Sequence, residues 1–147
     1  MPKHPRVIGT TPEAISLAET ATGFQFPSSF KEWLLTKNGL GIEAVHMFPV
    51  FDERDPRKTW NSIVREQEGA QSYWADVFEG EGLRFDDLLA FAAFGTGDYY
   101  CFDYSAPTES SEYLIVHVSH ETGKRSPRAR TFAEFAAKIA SGVFVDD

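Results

Sequence analysis

The feature that most constrains the fold is a glycine-containing turn between two apolar runs of strand length. Residues 88–94 form one run and residues 99–104 the other, and the residues between them include Gly95, Gly97 and Asp98. This composition is typical of a β-hairpin turn. We therefore predict a positive φ at Gly95 or Gly97, and a solvated or turn-forming role for Asp98. A phosphate-binding glycine loop would instead lead into a helix.

Capping signals and apolar periodicity predict three helices. Thr11 precedes a proline that suits a first helical turn, and Thr131 forms a capping box with Glu134. Asn38 and Gly39 both tolerate the left-handed conformation, so together they are expected to end the second helix. The predicted helical ranges are 11–21, Ser28–Lys37 and 131–141.

Other segments complete a layout in which helices flank a run of strands. Residues 113–118 are rich in β-branched side chains and predict the clearest strand, whereas residues 45–51 contain a proline and predict an irregular or edge strand. Residues 60–69 predict a further helix, to which residues 73–78 could add a turn or two before Gly80 and Gly82 break it. The polar residues 105–112 predict a loop. This order favours an α+β fold with a mainly antiparallel sheet flanked by helices. The chain of 147 residues is expected to form a single domain with its core at about residues 11–141.

The chain is acidic, and the acidity is concentrated in one segment. It has 14 lysines and arginines against 22 aspartates and glutamates, a net charge of −8. Such a chain repels phosphate backbones, so we expect a basic protein partner and no direct binding of nucleic acid. Between Asp76 and Glu121 there are ten carboxylates and one basic residue, Arg84. This bias predicts either a well-solvated surface or a face that binds the partner.

Three sets of side chains are candidates for contact with a partner or ligand. The acidic candidates are Asp76, Glu79, Glu81, Asp86, Asp87, Glu109 and Glu112. Trp33, Trp60 and Trp74 are candidate interface anchors, although their helical spacing is more typical of core packing. The short basic cluster at residues 124–130 could bind phosphate, but an exposed loop is the favoured interpretation.

The residues predict neither catalysis nor a metal or cofactor site. Cys101 lies between two aromatic residues and is interpreted as a small buried hydrophobe, and no G-x-S-x-G motif occurs. His117 and His120 lie three residues apart at a strand end, a spacing that matches no metal-ligand pattern. Asp98 and Asp103 would face opposite sides of a regular strand and could not form an acid/base pair. We therefore expect a non-enzymatic protein.

Cysteine usage and hydropathy indicate where the protein acts. The single cysteine cannot form an internal disulfide, which favours a reducing compartment. The first residues contain no apolar stretch of signal-peptide length, and no segment is apolar enough over a sufficient length to span a bilayer. We expect a cytoplasmic protein that does not bind membranes.

Taken together, these segments resemble the SUKH superfamily over roughly residues 11–139. The segments that carry the resemblance are the extended Phe24-x-Phe26-Pro27 entering a helix with Phe30, Trp33 and Leu34, then Asn38-Gly39, residues 94–103 and residues 131–135. Most bacterial members of that superfamily are understood as immunity proteins that bind and neutralise toxins, often nucleases. Its fungal members include a regulator of cell-wall synthesis. The resemblance thus implies a non-enzymatic immunity protein with a basic toxin domain as partner, or alternatively a regulatory scaffold that recruits cellular proteins.

Overall fold

The computed structural model describes residues 9–95 and 97–142, which form four helices and a five-stranded sheet. In chain order the elements are α1 (Pro12–Thr22), α2 (Ser28–Lys37), β1 (His46–Met47), α3 (Ile63–Val77), β2 (Leu88–Phe94), β3 (Asp98–Glu109), β4 (Glu112–Val118), β5 (Arg125–Ala129) and α4 (Phe132–Ala140). The strand order in the sheet is the chain order, and every pairing is antiparallel. The predicted α+β class is confirmed. Within the described ranges, none of the helices combines the length and the apolarity needed to cross a membrane.

The hairpin between β2 and β3 forms where the glycine turn predicts it. The two strands stay paired as far as Phe94, which lies opposite Asp98. Gly95 has a φ of 69° and Gly97 a φ of 138°. Both values lie in the region that favours glycine, so the predicted backbone conformation is confirmed. A Cβ added at Gly97 would also lie 3.4 Å from Cγ of the His120 ring.

Replacing either turn glycine by valine is expected to lower the free energy of unfolding by about 1 kcal/mol or more, because a β-branched residue is strained at positive φ. Thermal melts of Gly95→Val and Gly97→Val test this. The matched control is Gly69→Ala in α3, where an added Cβ meets nothing within 4 Å. Since alanine is the better helix former, this control should gain up to about 1 kcal/mol. Melts of both valine variants that match the parent would contradict the prediction.

Aromatic side chains fill the core on both faces of the sheet. On one face Phe91 and Phe102 stack with ring centroids 4.1 Å apart, and Phe30 of α2 lies 5.1 Å from Phe102. The rings of α4, Phe132 and Phe135, pack against the same group. On the other face, Trp74 of α3 contacts Tyr99 with centroids 5.6 Å apart. The helices therefore enclose the sheet from both sides, and six of these seven rings are buried, whereas Tyr99 is half-buried.

The predicted helix ends are confirmed in part. Thr11 accepts a hydrogen bond from Ala14 N at 3.2 Å, and Thr131 accepts one from Glu134 N at 3.0 Å. Gly39 is left-handed with a φ of 79°, but Asn38 has a φ of −57° and is not. The Asn38 side chain instead pairs with the backbone of Val50, donating to its carbonyl at 2.9 Å and accepting from its N–H at 2.7 Å. Asn38 therefore ties the end of α2 to the following extended segment.

Three predicted boundaries are wrong. Residues 105–112 are not a loop, because β3 and β4 extend to Glu109 and Glu112 and form a long hairpin. The helix predicted over residues 60–69 runs through its glycine to Val77 as the single helix α3, since buried side chains on one stripe hold both halves to the sheet. Residues 125–129, expected in an exposed loop, form the edge strand β5.

Candidate functional site

The predicted partner-binding carboxylates fall in three separate places. Those at the C-terminal end of α3 and in the loop after it are exposed: Asp76, Glu79 and Glu81. Those immediately before β2 are paired with arginines: Asp86 and Asp87. Those at the turn between β3 and β4 are Glu109 and Glu112. The two ends of β3 lie on the order of 30 Å apart. The seven carboxylates therefore do not form one continuous surface.

The first of these groups belongs to a surface that also exposes apolar side chains. We define the acidic patch as Asp76, Glu79, Glu81, Glu121, Tyr73, Val77 and Leu83. Its three apolar or aromatic members are 38%, 46% and 44% exposed, respectively for Tyr73, Val77 and Leu83. The described residues provide no lysine or arginine that forms an ion pair with its four carboxylates. The patch therefore combines accessible apolar surface with negative charge that no described lysine or arginine neutralises, and its ionic contact within the described residues is the 3.9 Å approach of Glu121 Oε1 to His120 Nε2.

The acidic patch is held together by contacts between α3, the loop after it and the turn between β4 and β5. The Tyr73 hydroxyl donates a hydrogen bond to the carbonyl of His120 at 3.1 Å. Gly123, with a φ of 72°, lets the same turn approach the loop, since a Cβ there would lie 3.0 Å from Leu83 Cδ1. Glu121 lies between these two contact points in the chain. The turn thus carries its carboxylate to the side of the domain where α3 ends.

The half-buried carboxylate of Asp98 holds the turn between β4 and β5 in place. Asp98 lies with Oδ2 at 2.8 Å from His117 Nε2 and with Oδ1 at 2.6 Å from His120 Nδ1, and it accepts a hydrogen bond from His120 N at 2.8 Å. Burial acts to raise the pKa of Asp98, but these hydrogen bonds outweigh it and hold that pKa below its ordinary value. Asp98 therefore has a structural role that joins the glycine turn to the turn between β4 and β5.

Asp86 and Asp87 interact with arginines and not with open solvent alone. Asp86 is exposed and forms a bidentate pair with Arg84, at 3.1 and 3.0 Å. Asp87 is half-buried and accepts from Arg125 Nη2 at 2.9 Å, and Arg125 also donates to Asp103 at 3.1 Å. Burial acts to lower the pKa of Arg125, but its two carboxylate partners outweigh it and raise that pKa. Arg125 therefore points into the domain and does not join an exposed basic cluster.

Glu112 is not a surface contact, which corrects the prediction from charge alone. Only 6% of this residue is exposed. Its carboxylate accepts hydrogen bonds from the backbone N–H and the hydroxyl of Ser29, at 2.8 and 2.9 Å, and from Phe132 N at 3.2 Å. The carboxylate therefore completes the N-terminal ends of α2 and α4. Its neighbour in the hairpin, Glu109, is exposed, but it lies at the far end of β3 from the acidic patch.

The tryptophans and the cysteine divide clearly between core and surface. Trp74 is 1% exposed and Trp33 half-buried, whereas Trp60 is 54% exposed. Cys101 is fully buried, and burial raises the pKa of its thiol well above the ordinary value, which disfavours the reactive thiolate. Among residues 9–95 and 97–142 no cluster of histidine, cysteine and carboxylate side chains is arranged to hold a metal ion.

Three of the seven residues of the acidic patch were candidates from the sequence: Asp76, Glu79 and Glu81. The exposed carboxylates at the end of α3 were predicted, but Tyr73, Val77 and Leu83 were not. Tyr73 and Val77 are four residues apart, so they share one side of α3 next to the buried stripe that includes Trp74. An apolar stripe broader than the core requires is the signal that could have indicated them.

Comparison with known proteins agrees with the geometry of the chain. A family model described as the SMI1 / KNR4 family (SUKH-1) matches residues 9–138. No curated protein matches the chain. The matched range runs from the start of the described structure into α4, so it includes the whole sheet and all the elements that form the acidic patch. The resemblance seen in the sequence is confirmed, and the chain belongs to the SMI1/KNR4 family (SUKH-1).

Proposed function

We propose that this protein is a non-enzymatic immunity protein, which binds a basic toxin domain through the acidic patch and so neutralises it. The observation that carries the proposal is the acidic patch itself: four carboxylates that form no ion pair with a lysine or arginine of the described chain, beside three exposed apolar side chains. The protein would act in the cytoplasm, by stoichiometric binding and without a cofactor.

The composition of the acidic patch is that of a protein contact surface. Interfaces combine an apolar centre with a polar rim, and tyrosine is enriched among the residues that contribute most to affinity. Carboxylates at the rim raise the rate of association with a positively charged partner and disfavour acidic ones. A toxin that acts on nucleic acid must present a positively charged cleft to the phosphate backbone. Negative charge beside exposed apolar surface therefore suits a partner of this kind.

Co-expression is the direct test of the proposal. A basic toxin domain encoded beside this gene would be expressed with and without the protein, and survival scored. Survival together with a purified one-to-one complex supports neutralisation by binding. Survival without a complex would contradict it. If no such toxin gene exists and the protein co-purifies with regulators of its own cell, the alternative of a regulatory scaffold replaces the proposal.

Removing charge from the acidic patch is expected to slow association. In a triple variant that replaces Asp76, Glu79 and Glu81 by serine, the association rate should fall by on the order of tenfold at low salt, and its dependence on salt should flatten. Stopped-flow or surface-based kinetics at two salt concentrations measures both quantities. The electrostatic part of the proposal fails if the rate is indifferent to salt and to these substitutions.

A matched control removes the same charge elsewhere. Glu32, Glu43 and Glu109 are exposed and lie outside the acidic patch. Their triple replacement by serine changes the net charge equally, so it should alter the association rate much less. Equal slowing by the two triple variants would show that net charge, and not the acidic patch, steers the partner.

A further inference from the structure

A second exposed surface lies on the domain, and its chemistry differs from that of the acidic patch. It is an apolar groove of about 350 Å³ between α1, the first turn of α3 and the segment of residues 50–62. Leu17 on one wall is 73% exposed, and Trp60 and Phe51 on the other wall are 54% and 42% exposed. Phe51 and Trp60 meet edge to face, with centroids 6.5 Å apart. These three are the large hydrophobic residues of the groove that are exposed.

The α1 wall of the groove is an apolar helix face that the described residues do not cover. Ile15 and Ala18 of α1 are buried against the core. Ala14, Leu17 and Ala21 follow at helical spacing on the neighbouring side and line the groove. The alanines leave the helix backbone close to the floor of the groove. A second helix could therefore pack closely against α1, as amphipathic helices do in apolar grooves.

The Trp60 end of the groove carries positive charge without acidic partners. Arg65 lies over the Trp60 ring at 4.6 Å from its centroid, and Arg57 borders the adjoining hollow together with Trp60. Lys58 is exposed in the same loop. Within the ranges that the structure describes, none of these three cations pairs with a carboxylate. By contrast Arg54, Arg84 and Arg125 each do.

The opposite end of the groove carries negative charge. Glu13 and Glu53 line the adjoining hollow beyond Leu17 and Phe51. The charge of Arg54 in that hollow is already paired with that of Asp52. An occupant that complements the whole groove must therefore place its acidic residues at the Trp60 end. This polarity restricts both the chemistry and the direction of what can bind.

We propose that the groove binds an amphipathic helix of a partner protein, with apolar side chains against Leu17 and Trp60 and carboxylates facing Arg57, Lys58 and Arg65. The groove adjoins the first turn of α3 and the acidic patch its last turn, about 20 Å away along a helix of 15 residues. Positive charge beside the groove suits an acidic helical segment, whereas the acidic patch suits a basic surface. It does not depend on the proposed toxin.

The test uses the full chain and three synthetic peptides of about 18 residues, long enough to be helical alone. All three carry leucines at i, i+3, i+4 and i+7. The first has glutamates at its polar positions toward one end, the second has lysines in their place, and the third has the first peptide's residues in scrambled order. Fluorescence anisotropy of the labelled peptides gives Kd. We expect the glutamate peptide to bind at least tenfold more tightly than the other two.

Variants locate the binding and its charge dependence. Leu17→Glu, whose side chain is largely in solvent, should retain the fold and weaken the glutamate peptide at least tenfold. The matched control Leu40→Glu, at an exposed leucine outside both surfaces, should leave Kd unchanged. In the double variant Lys58→Glu and Arg65→Glu, the lysine peptide should bind more tightly than the glutamate peptide. Circular dichroism melts of every variant separate loss of binding from loss of fold.

Several results would overturn the proposal. One is that the glutamate peptide does not bind at about 1 mM, since a Kd of that size corresponds to a binding free energy of only about 4 kcal/mol. Equal or tighter binding of the lysine peptide by the parent protein is another, as is unchanged binding by Leu17→Glu. A concentration-dependent dimer in sedimentation that Leu17→Glu disrupts would show that the groove joins two copies of this chain instead.

Discussion

Replacing Glu112 by alanine is expected to lower the free energy of unfolding by about 3 kcal/mol. The buried carboxylate accepts hydrogen bonds from Ser29 N, Ser29 Oγ and Phe132 N. It supplies the side-chain cap that α2 otherwise lacks, because Pro27 at the N-cap offers none. The bond from Phe132 N is buried and those from Ser29 are half-buried, and a buried donor left without an acceptor costs about 1–3 kcal/mol. Urea unfolding with linear extrapolation measures the change.

Glu109→Ala is the matched control, because Glu109 lies directly opposite Glu112 across the hairpin and is exposed. Its replacement should change stability by no more than about 0.5 kcal/mol. If both variants unfold alike, the capping role assigned to Glu112 is wrong. If Glu112→Ala keeps the parent's stability and instead slows association with a basic partner, the prediction from sequence that it is a contact residue is restored.

Glu112 shows why charge along a sequence does not locate a site. The segment between Asp76 and Glu121, with ten carboxylates and one arginine, contains exposed, ion-paired and buried carboxylates. Nothing in the local sequence distinguishes them. Glu112 is buried because the N-terminal ends of α2 and α4 pack against it, and Ser29 of α2 lies 83 residues away in the chain. Asp103, also buried, is paired with an arginine 22 residues later. Such long-range contacts depend on the assembled fold.

Elements with local signals were predictable and those without were not. Caps at Thr11 and Thr131, and the glycines of the turn between β2 and β3, specify backbone geometry within a few residues. β5 lacks a local signal, since it is polar and contains Pro127, which a strand tolerates at the edge of a sheet. β3 continues through Pro107 only with register shifts on either side of that residue. Its pairing with β4 overrides the weak strand propensity of the segment.

The surfaces proposed for binding divide in the same way. Carboxylates at the end of α3 could be read from the sequence, because that helix end was near a predicted break at two glycines. The apolar groove could not. It requires α1 to lie beside the start of α3, and it requires Trp60 to be exposed where helical spacing favoured core packing. Exposure of a large apolar side chain is a property of the packed domain.

The loop that carries one wall of the groove is itself anchored, and its anchor predicts sensitivity to acid. Asp52 is 3% exposed, although the sequence places it in a charged segment. It accepts hydrogen bonds from Arg54 Nε at 2.9 Å and Nη2 at 2.6 Å, from Arg54 N at 2.9 Å and from Thr10 Oγ1 at 2.8 Å. The hydrogen bond from the Arg54 side chain is the largest influence, and with the others it lowers the pKa of Asp52 from 3.8 to about 2, against the effect of burial.

Because the folded pKa lies below the unfolded value, Asp52 contributes stability that is fully present above about pH 4 and lost as the pH falls towards 2. The difference between a pKa of 3.8 and one of about 2 corresponds to about 2 kcal/mol. Asp52→Asn has no carboxyl to titrate, so it should be less stable than the parent at neutral pH, and the difference should shrink by about 2 kcal/mol between about pH 6 and about pH 2. Urea unfolding at stepped pH values measures this difference.

Two arginine variants identify the origin of that pH dependence. Arg54→Ala removes the main cause of the low pKa, so the loss of stability between neutral and acid pH should become shallower. Arg84→Ala breaks an ion pair in which both side chains are largely exposed, and it should leave the pH dependence unchanged. A difference between Asp52→Asn and the parent that stays constant with pH, or equal effects of the two arginine variants, would show that the Asp52 carboxylate does not hold its loop by charge.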